Sequence, residues 1–306
     1  MKKDFLHVND LSESDFYSVI DTAHWIKKQF KVNTDYSPLS KKTMAMIFAK
    51  PSARTRISFE AGFFRLGGHA LFLGPNDIGI GKRESVADIA RVLSRFNDII
   101  MARLFDHSHI LELAKFSDVP VINGLTDFNH PCQIVADAFT IIEKKNSLKD
   151  LKIVYIGDGN NIVHSWFELA MITPLNLTIV CPEDFEPDPD LYSLVKNTGL
   201  SNVEIEHDPI AGVDSADVVY TDVWASMGQK EESGKRKKIF ENYQVNENLM
   251  SHAKSDAIFM HCLPAERGVE VTDAICDSAN SVIFDQAENR MHAQNAIILK
   301  LMGVSI

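Results

Sequence analysis

Residues 44–56 read MAMIFAKPSARTR, and this stretch shows the structural unit that the rest of the chain repeats. Its first six residues, 44–49, are a continuous apolar run of the kind found in a strand buried on both faces. A turn containing Pro51 and Ser52 follows, and after Arg54 the apolar residues return at helical spacing. A buried strand that leads directly into a helix is the repeating unit of a parallel α/β sheet.

The same unit recurs in two series, one before residue 148 and one after it. The predicted strands are 44–49, 70–73, 98–103 and 119–122 in the first series, and 152–156, 177–181, 203–205, 217–221, 257–260 and 282–284 in the second. We therefore predict an α/β fold of two doubly wound parallel-sheet domains joined by interdomain helices. The joining helices are predicted over 131–145 and about 287–301. The predicted domains are residues 1–135 plus the C-terminal helix 287–306, and residues 136–286.

Charge and composition exclude several classes of protein. Over 306 residues, 31 Lys and Arg stand against 42 Asp and Glu, and the formal net charge is -11. Such a surface repels nucleic acid and anionic membranes, so we predict neither as a partner and expect any anion site to be local. No apolar run reaches the ~20 residues that cross a bilayer. No leader pattern is legible, and four cysteines without a C-x-x-C pair predict reduced thiols, so we expect a cytoplasmic protein.

The turn after the first strand has the composition of an anion site. Ser52, Arg54 and Thr55 lie together where a helix begins, and the free backbone N–H groups there favour a phosphate. The alternative is that Ser52 only caps the helix while the arginines are solvated. Arg103, at the end of another predicted strand, could add a guanidinium at the same edge of the sheet.

A second basic segment lies at 79–85, where two glycines flank Ile80 and precede Lys82 and Arg83. It is either a loop that brings a cation over a bound phosphate or an ordinary basic loop. A P-loop is excluded, because position 76 is Asn where Gly is required and Arg83 replaces the Ser or Thr.

His130 and Gln133 stand at the start of the predicted helix 131–145. Pro131 places His130 at the mouth of that helix, and Gln133 follows one turn later. A histidine donor beside an amide that both donates and accepts suits a planar carbamoyl or amide group on which negative charge develops. The alternative is that His130 only caps the helix.

Two turns of the second half carry polar side chains at strand ends, and a basic run follows the second of them. Asn161 follows a Gly157–Gly159 turn in the position of a dinucleotide fingerprint, but the third glycine is replaced by Ile162. Asn161 is then either a substrate contact or a helix cap, and Asp222 is either a partner for an ammonium group or a turn cap. The basic run 235–238 is predicted to be a solvated loop.

The pair His261 and Cys262 ends the strand predicted over 257–260. Neighbours on an extended chain point to opposite sides, so the two side chains are poorly placed to form a nucleophile and base. Cys262 is expected to be buried or to line a pocket.

Five motifs together resemble the aspartate/ornithine carbamoyltransferase family, and the resemblance covers essentially the whole chain. They are SARTR at 52–56, HPCQ at 130–133, DVWASMG at 222–228, HCLP at 261–264 and ENR at 288–290. The resemblance implies transfer of a carbamoyl group from carbamoyl phosphate to the δ-amine of L-ornithine, which gives L-citrulline and phosphate. It also implies a homotrimer with active sites at subunit interfaces and no metal or organic cofactor.

Site residues follow from the same resemblance, motif by motif. Those implied for carbamoyl phosphate are Ser52, Ala53, Arg54, Thr55, Lys82 or Arg83, Arg103, His130, Gln133, Leu263 and Arg290. Those implied for ornithine, in the second domain, are Asn161, Asp222, Ser226, Met227 and Cys262. The residues implied for catalysis are Arg54, Arg103, His130 and Cys262. Ala53 departs from the family pattern, in which Thr is common.

Three other functions stay open at this point. A carbamoyltransferase for another amine, such as putrescine, would keep the first-domain motifs, although the SMG segment at 226–228 favours ornithine. A non-enzymatic ligand-binding module of the same fold would be expected to have lost part of the arginine and histidine set. A dinucleotide-dependent dehydrogenase is disfavoured by Ile162.

Overall fold

Parallel strands account for both sheets of the protein, which is described by a computed structural model over residues 3–32, 35–81, 83–224, 233–304 and 306. The chain divides into two units, one comprising residues 1–139 with 288–306 and the other residues 140–287. The predicted fold class, two doubly wound parallel α/β domains, is confirmed.

The first unit contains a four-stranded sheet in the order β2-β1-β3-β4. Its core strands are almost completely buried, which explains their continuous apolar runs. Phe5 extends the sheet with a single parallel bridge to Ile122. The strands are β1 (Thr43–Phe48), β2 (His69–Leu73), β3 (Ile99–Arg103) and β4 (Val121–Leu125).

The second unit contains a five-stranded sheet in the order β7-β6-β5-β8-β9. Its largest fully buried side chains include Trp166, Tyr155 and Tyr220. The strands are β5 (Lys152–Ile156), β6 (Asn176–Val180), β7 (Asn202–Glu206), β8 (Val218–Thr221) and β9 (Ile258–His261).

Helices connect the strands, and most of them begin at a side chain that caps the first turn. Two helices, α6 and α13, each contain a boundary between the units. The helices are α1 (Glu13–Lys31), α2 (Ala53–Arg65), α3 (Pro75–Ile78), α4 (Val86–Phe96), α5 (His107–Phe116), α6 (Pro131–Lys145), α7 (Asn161–Ala170), α8 (Pro189–Thr198), α9 (Pro209–Val213), α10 (Ser233–Ile239), α11 (Glu247–Met250), α12 (Asp273–Cys276) and α13 (Ile283–Leu301).

Each sheet has a switch point, where the chain reverses the direction in which it adds strands. In the first sheet it lies between β1 and β3, whose last paired residues are Phe48 and Arg103. In the second sheet it lies between β5 and β8, whose last paired residues are Ile156 and Thr221. Ligands of open α/β sheets bind beside such points, at the carboxyl ends of the strands.

The strand predicted over 282–284 is wrong. Ser281 forms one isolated parallel bridge with Phe259, Val282 N donates to the Phe259 carbonyl over 3.0 Å, and α13 begins at Ile283. The side chain of Phe284 is exposed, as a position on a helix surface can be. A three-residue apolar run fits either kind of element, and here the helix that follows incorporates it.

The strand predicted over 119–122 is displaced toward its C-terminal side, and β4 runs over Val121–Leu125. Pro120 has no N–H to offer a neighbouring strand, and the Val119 carbonyl accepts a hydrogen bond from Ser117 Oγ at 2.6 Å. None of the helices in the described parts of the chain combines the length and the apolar character that a membrane crossing needs.

Candidate active site

In the first unit, the buried hydroxyl of Thr55 accepts hydrogen bonds from two guanidinium groups. Arg290 Nη2 donates to Thr55 Oγ1 over 2.9 Å, and Arg103 Nη1 donates to the same oxygen over 3.3 Å. Ser52 is the N-cap of α2, since its Oγ accepts a hydrogen bond from Thr55 N at 3.3 Å. Capping and anion binding at this turn are therefore compatible, because the cap uses one amide and leaves the others of the first turn available.

His130 lies in the same unit, in a buried and positively charged environment. Burial lowers the pKa of His130 well below its ordinary value, and the charges of Arg290, Arg103 and Lys50 lower it further. The imidazole is therefore neutral at pH 7, and one ring nitrogen donates while the other accepts.

Gln133 lies one turn into α6, as the sequence predicts, but its side chain bonds along the helix. Gln133 Nε2 donates to Asp137 Oδ1 over 2.8 Å. Its Oε1 is buried and has no hydrogen-bond partner among the described residues. A buried acceptor of this kind suits a ligand that brings an N–H group.

Lys50 is a further cation of the first unit, and its position in the stretch 44–56 did not by itself predict a role for it. It is buried at the end of β1, and its Nζ lies 3.9 Å from Asp127 Oδ1 and over the ring of Phe105. The pKa of Lys50 is lowered, chiefly by burial. The charge of Asp127 opposes this shift, and the charge of Arg103 adds to it. The sequence could have indicated this cation, because a lysine stands at the C-terminal end of a buried strand, directly before the anion turn.

The remaining predicted residues of the first unit are more exposed. Arg54 is half-buried in the first turn of α2, and Ala53 is exposed. Arg83 is exposed, and Gly79 and Gly81 before it have φ values of 53° and 71° that favour glycine. Lys82 lies outside the described residues.

In the second unit, Asp222 and Cys262 are brought together from the ends of β8 and β9. Cys262 Sγ donates to Asp222 Oδ1 over 3.0 Å, and Val223 N donates to the same carboxylate oxygen over 2.8 Å. The pKa of the nearby Tyr155 hydroxyl is raised well above its ordinary value, by burial first and then by Asp222 and Cys262. Cys262 is half-buried, so it lines a surface instead of filling the core.

The described hydrogen bonds of the His261 imidazole go to Glu270 and Leu263, although one imidazole nitrogen lies within 4.8 Å of Cys262 Sγ. His261 Nε2 lies 3.1 Å from Glu270 Oε1, and its Nδ1 accepts a hydrogen bond from Leu263 N at 2.8 Å. Asp222, His261 and Cys262 could each offer one metal-ligating atom within 4.8 Å of the others. Both nitrogens of His261 are already bonded within the protein, so its role here is to hold the Leu263 turn.

The turn after β5 is capped by Asn160, not by Asn161. Asn160 Oδ1 accepts a hydrogen bond from Ile162 N at 2.9 Å, which leaves the Asn161 side chain unnecessary as a cap. Asn161 is half-buried at the first position of α7. In the same turn Gly159 approaches the backbone of Pro187 so closely that a Cβ would lie 2.2 Å from the proline nitrogen.

The basic run 235–238 is not a solvated loop, and that expectation is wrong. It belongs to α10, and Arg236 Nη1 donates to Asp158 Oδ2 over 2.7 Å and to the Trp224 carbonyl over 2.9 Å. The Arg236 guanidinium also packs over the Phe185 ring. A run of four cations gave no sign that one of them is half-buried in an ion pair. Ser226 and Met227 lie outside the described residues.

Comparison with known proteins covers the whole chain. The family description "Aspartate/ornithine carbamoyltransferase, carbamoyl-P binding domain" matches residues 3–143, and "Aspartate/ornithine carbamoyltransferase, Asp/Orn binding domain" matches residues 149–301. The chain is 57% identical over 302 residues to "Ornithine carbamoyltransferase, chloroplastic" of Pisum sativum, covering 98% of this chain and 80% of the relative. It is 48% identical over 304 residues to "Ornithine carbamoyltransferase, anabolic" of Pyrococcus furiosus, covering 98% and 96%. A solved structure of ornithine carbamoyltransferase from Pyrococcus furiosus superposes with a TM-score of 0.94 at 48% identity, covering 100% of this chain and 98% of the other.

Proposed function

The chain belongs to the aspartate/ornithine carbamoyltransferase family, and on that premise we propose how its side chains transfer a carbamoyl group from carbamoyl phosphate to the δ-amine of L-ornithine. The products are L-citrulline and phosphate. The Pyrococcus furiosus relative is named as an anabolic enzyme, which supports citrulline synthesis as the direction of the reaction in the cell. The observation that carries the proposal is the convergence of Arg103 and Arg290 on Thr55, with a neutral His130 in the field of both.

The first unit is proposed to bind carbamoyl phosphate. Its phosphate accepts hydrogen bonds from the backbone at 52–55 and from Arg54, Arg103 and Arg290. Either Lys82 or Arg83 adds a cation. The whole set proposed for this substrate, in which Leu263 alone belongs to the second unit, is Ser52, Ala53, Arg54, Thr55, Lys82 or Arg83, Arg103, His130, Gln133, Leu263 and Arg290.

The carbamoyl group needs a donor for its oxygen and an acceptor for its amide hydrogens. Neutral His130 supplies the donor, and the buried Oε1 of Gln133 supplies the acceptor. An imidazolium at this position would repel the guanidinium groups of Arg103 and Arg290, so the depressed pKa is the condition for placing a histidine among arginines.

The second unit is proposed to bind ornithine. Asp222 accepts hydrogen bonds from the α-ammonium group of the substrate. Asn161, Ser226 and Met227 contact the rest of its α-amino and α-carboxylate end. Cys262, bonded to Asp222 at 3.0 Å, lies beside the δ-amine. The Asp222 carboxylate is thereby oriented by a thiol and by a backbone N–H before substrate arrives.

The reaction proceeds by direct attack. The lone pair of the neutral δ-amine forms a C–N bond to the carbamoyl carbon, and the carbonyl electrons move to oxygen, where Arg54, Arg103 and His130 stabilise the charge. The carbon–oxygen bond to phosphate then breaks, and the departing phosphate accepts the proton that the amine loses. The protein contributes positioning and electrostatic stabilisation, and no bond to an enzyme atom forms.

A homotrimer is the proposed assembly. Ile57 and Phe64 are exposed at 63% and 74% and line the same surface pocket of the first unit, and adjacent exposed apolar side chains mark a face that another chain covers. Under this proposal Lys82 or Arg83 acts on a neighbouring subunit's phosphate site.

Mixing folded Arg54→Ala trimers with folded Lys82→Gln/Arg83→Gln trimers and allowing exchange of subunits should restore activity. No restoration despite demonstrated exchange would place the loop cation in its own subunit.

The acceptor assignment is tested by initial rates with L-ornithine, putrescine, L-aspartate and N-acetyl-L-ornithine as parallel amines. We expect rapid citrulline formation with L-ornithine and little product from the other three. A preference for putrescine would preserve the proposed carbamoyl phosphate site and refute the proposed ornithine site. Phosphate release without any carbamoylated amine would refute the transfer itself.

A further inference from the structure

Four side chains of the first unit form a closed ring of hydrogen bonds that includes none of the proposed site residues. They are His7, His107, Thr126 and Asn129, and we name them the Asn129 circuit. Asn129 Nδ2 lies 3.0 Å from His7 Nδ1, and His7 Nε2 lies 3.3 Å from His107 Nε2. His107 Nδ1 lies 2.9 Å from Thr126 Oγ1, which lies 3.3 Å from Asn129 Oδ1. The ring thus returns to the amide from which it starts.

The backbone carbonyl of Leu6 determines the direction of every bond in the circuit. A carbonyl only accepts, and it receives hydrogen bonds from Asn129 Nδ2 and from Asn123 Nδ2, each at 3.1 Å. Asn123 Nδ2 also donates to Asn129 Oδ1 over 2.6 Å. Asn129 Oδ1 is therefore the acceptor end of that amide, and the hydroxyl of Thr126 donates its single proton to it.

The tautomers of both histidines follow from that proton. Because the Thr126 hydroxyl proton is committed to Asn129, His107 Nδ1–H must donate to Thr126, and His107 Nε2 must accept. His7 therefore donates through Nε2–H, and its Nδ1 accepts from Asn129. Both imidazoles are neutral and carry opposite tautomers, and each group in the ring donates once and accepts at least once.

The circuit encloses the turn that leads into His130. Thr126 and Asn129 are completely buried, and Thr126 N donates to the Asn129 carbonyl over 2.9 Å. The Phe128 ring lies against both imidazoles, with centroid distances of 6.0 Å to His7 and 5.0 Å to His107. A buried polar network in which all partners are satisfied rigidifies the backbone that carries it.

We propose that the Asn129 circuit positions the imidazole of His130 for the carbamoyl group, an inference that rests on the role proposed for His130. Asn129 precedes His130 directly, and Pro131 restricts the His130 backbone from the other side. The orientation of the peptide between Asn129 and His130 is thus set by the side chain of Asn129, whose amide is held at both ends. The circuit members touch no substrate and act through His130.

The primary test is a pair of substitutions at Thr126. Thr126→Val keeps the shape of the side chain and removes the hydroxyl that closes the ring, whereas Thr126→Ser keeps the hydroxyl. We expect Thr126→Val to lower kcat by roughly 10- to 100-fold, the cost of misplacing a group by about 1 Å. The KM for ornithine should stay constant, and Thr126→Ser should recover most of kcat. If Thr126→Val does not fold, His7→Phe, which keeps a ring against Phe128, serves instead.

A double-substitution cycle with His130→Ala separates positioning from stability. If the circuit acts through His130, Thr126→Val should cause no further loss of kcat in the His130→Ala background. An equal loss in both backgrounds, or a folded Thr126→Val enzyme with undiminished kcat, would overturn the inference and leave the role of His130 intact. A His130→Ala enzyme with undiminished kcat would instead overturn the proposed role of His130, and this inference with it.

Histidine tautomers give an independent readout. In selectively ¹⁵N-histidine-labelled enzyme at pH 7.5, the structure predicts His7 as the Nε2–H tautomer and His107 as the Nδ1–H tautomer, with assignments from His7→Phe and His107→Gln. In Thr126→Val, His107 should lose the Nδ1–H preference. Identical tautomers for the two residues in the wild-type enzyme would contradict the bond directions on which the inference stands.

Discussion

Arg290 donates a hydrogen bond to Thr55 over 2.9 Å, although the two residues are 235 positions apart in the chain. The last helix of the protein thus returns a guanidinium group to the first anion turn of the first unit. Arg103 donates to the same hydroxyl, so two positive groups stand side by side around one neutral oxygen. Like charges in a buried place repel each other, and a bound phosphate dianion removes that repulsion.

Replacing Thr55 tests whether this shared hydroxyl organises the anion site. Thr55→Val removes the oxygen that Arg103 and Arg290 contact, so both guanidinium groups lose a fixed position. We expect the KM for carbamoyl phosphate to rise by about 10- to 100-fold, since a hydrogen bond to a charged group contributes roughly 1.5–3 kcal/mol. Thr55→Ser should lose far less. An unchanged KM in a folded Thr55→Val enzyme would show that the arginines do not depend on Thr55.

The low pKa of His130 predicts a pH dependence of stability. In the unfolded chain the imidazole titrates near its ordinary value of 6.5, whereas in the folded protein it stays neutral to a much lower pH. Below pH 6.5 the unfolded state therefore binds more protons, and stability falls by up to ~1.4 kcal/mol per pH unit for this group. The free energy of unfolding, measured by urea titration at pH 7.5 and 5.5, should decline less in His130→Gln. Equal declines in the two proteins would refute a depressed pKa.

Arg236 and Asp158 form a nearly buried ion pair whose disruption should be costly. Arg236→Gln leaves the Asp158 carboxylate uncompensated, and we expect a loss of about 3 kcal/mol at pH 7. Lys237→Gln in the same helix is the matched control, because the Lys237 pair with Glu266 is solvated at 45% and 53% exposure and should contribute less than about 1 kcal/mol.

Acid should partly rescue Arg236→Gln. In the folded wild-type protein the pKa of Asp158 is already raised, chiefly by burial, and loss of the arginine raises it further. A raised folded pKa means that the folded state gains relative stability as pH falls toward the range in which the carboxyl group protonates. The stability gap between Arg236→Gln and wild type should therefore narrow between pH 7 and 5. A constant gap would indicate that the loss comes from packing over Phe185 and not from charge.

Gly159→Ala tests the close approach in the turn before α7. The added Cβ would meet the Pro187 backbone at 2.2 Å, which side-chain rotation cannot relieve. We expect destabilisation of about 3 kcal/mol, at the upper end for overpacking. Gly234→Ala is the control, since a Cβ there meets nothing within 4 Å. Equal unfolding midpoints for the two variants would mean that the turn can move aside.

Local pattern predicted much of the fold. The strand at 152–156 and the helix at 131–145 were predicted with the bounds that the structure has, because each apolar pattern lies between clear turn signals. The strand predicted over 282–284 failed because three apolar residues fit a strand and the start of a helix equally well.

Contacts between residues far apart in the chain could not be predicted from local sequence patterns. The Thr55–Arg290 bond and the His7–Asn129 bond join segments far apart in the chain, and no spacing rule connects them. The sequence placed Arg290 near the phosphate turn only through the family resemblance. Arg236 was predicted to be solvated because three cations beside it suggested a charged surface, and its half-buried partner Asp158 lies 78 positions away.

The most direct test of the account is carbamoyl transfer followed with ¹³C-labelled carbamoyl phosphate and L-ornithine in the wild-type enzyme and in His130→Ala. The account predicts ¹³C-citrulline and phosphate in equal amounts from the wild type. It predicts a rate roughly 100- to 1000-fold lower in His130→Ala, with an unchanged unfolding midpoint at pH 7.5. Absence of ornithine-dependent citrulline from the wild type, or a near-normal rate in folded His130→Ala, would contradict it.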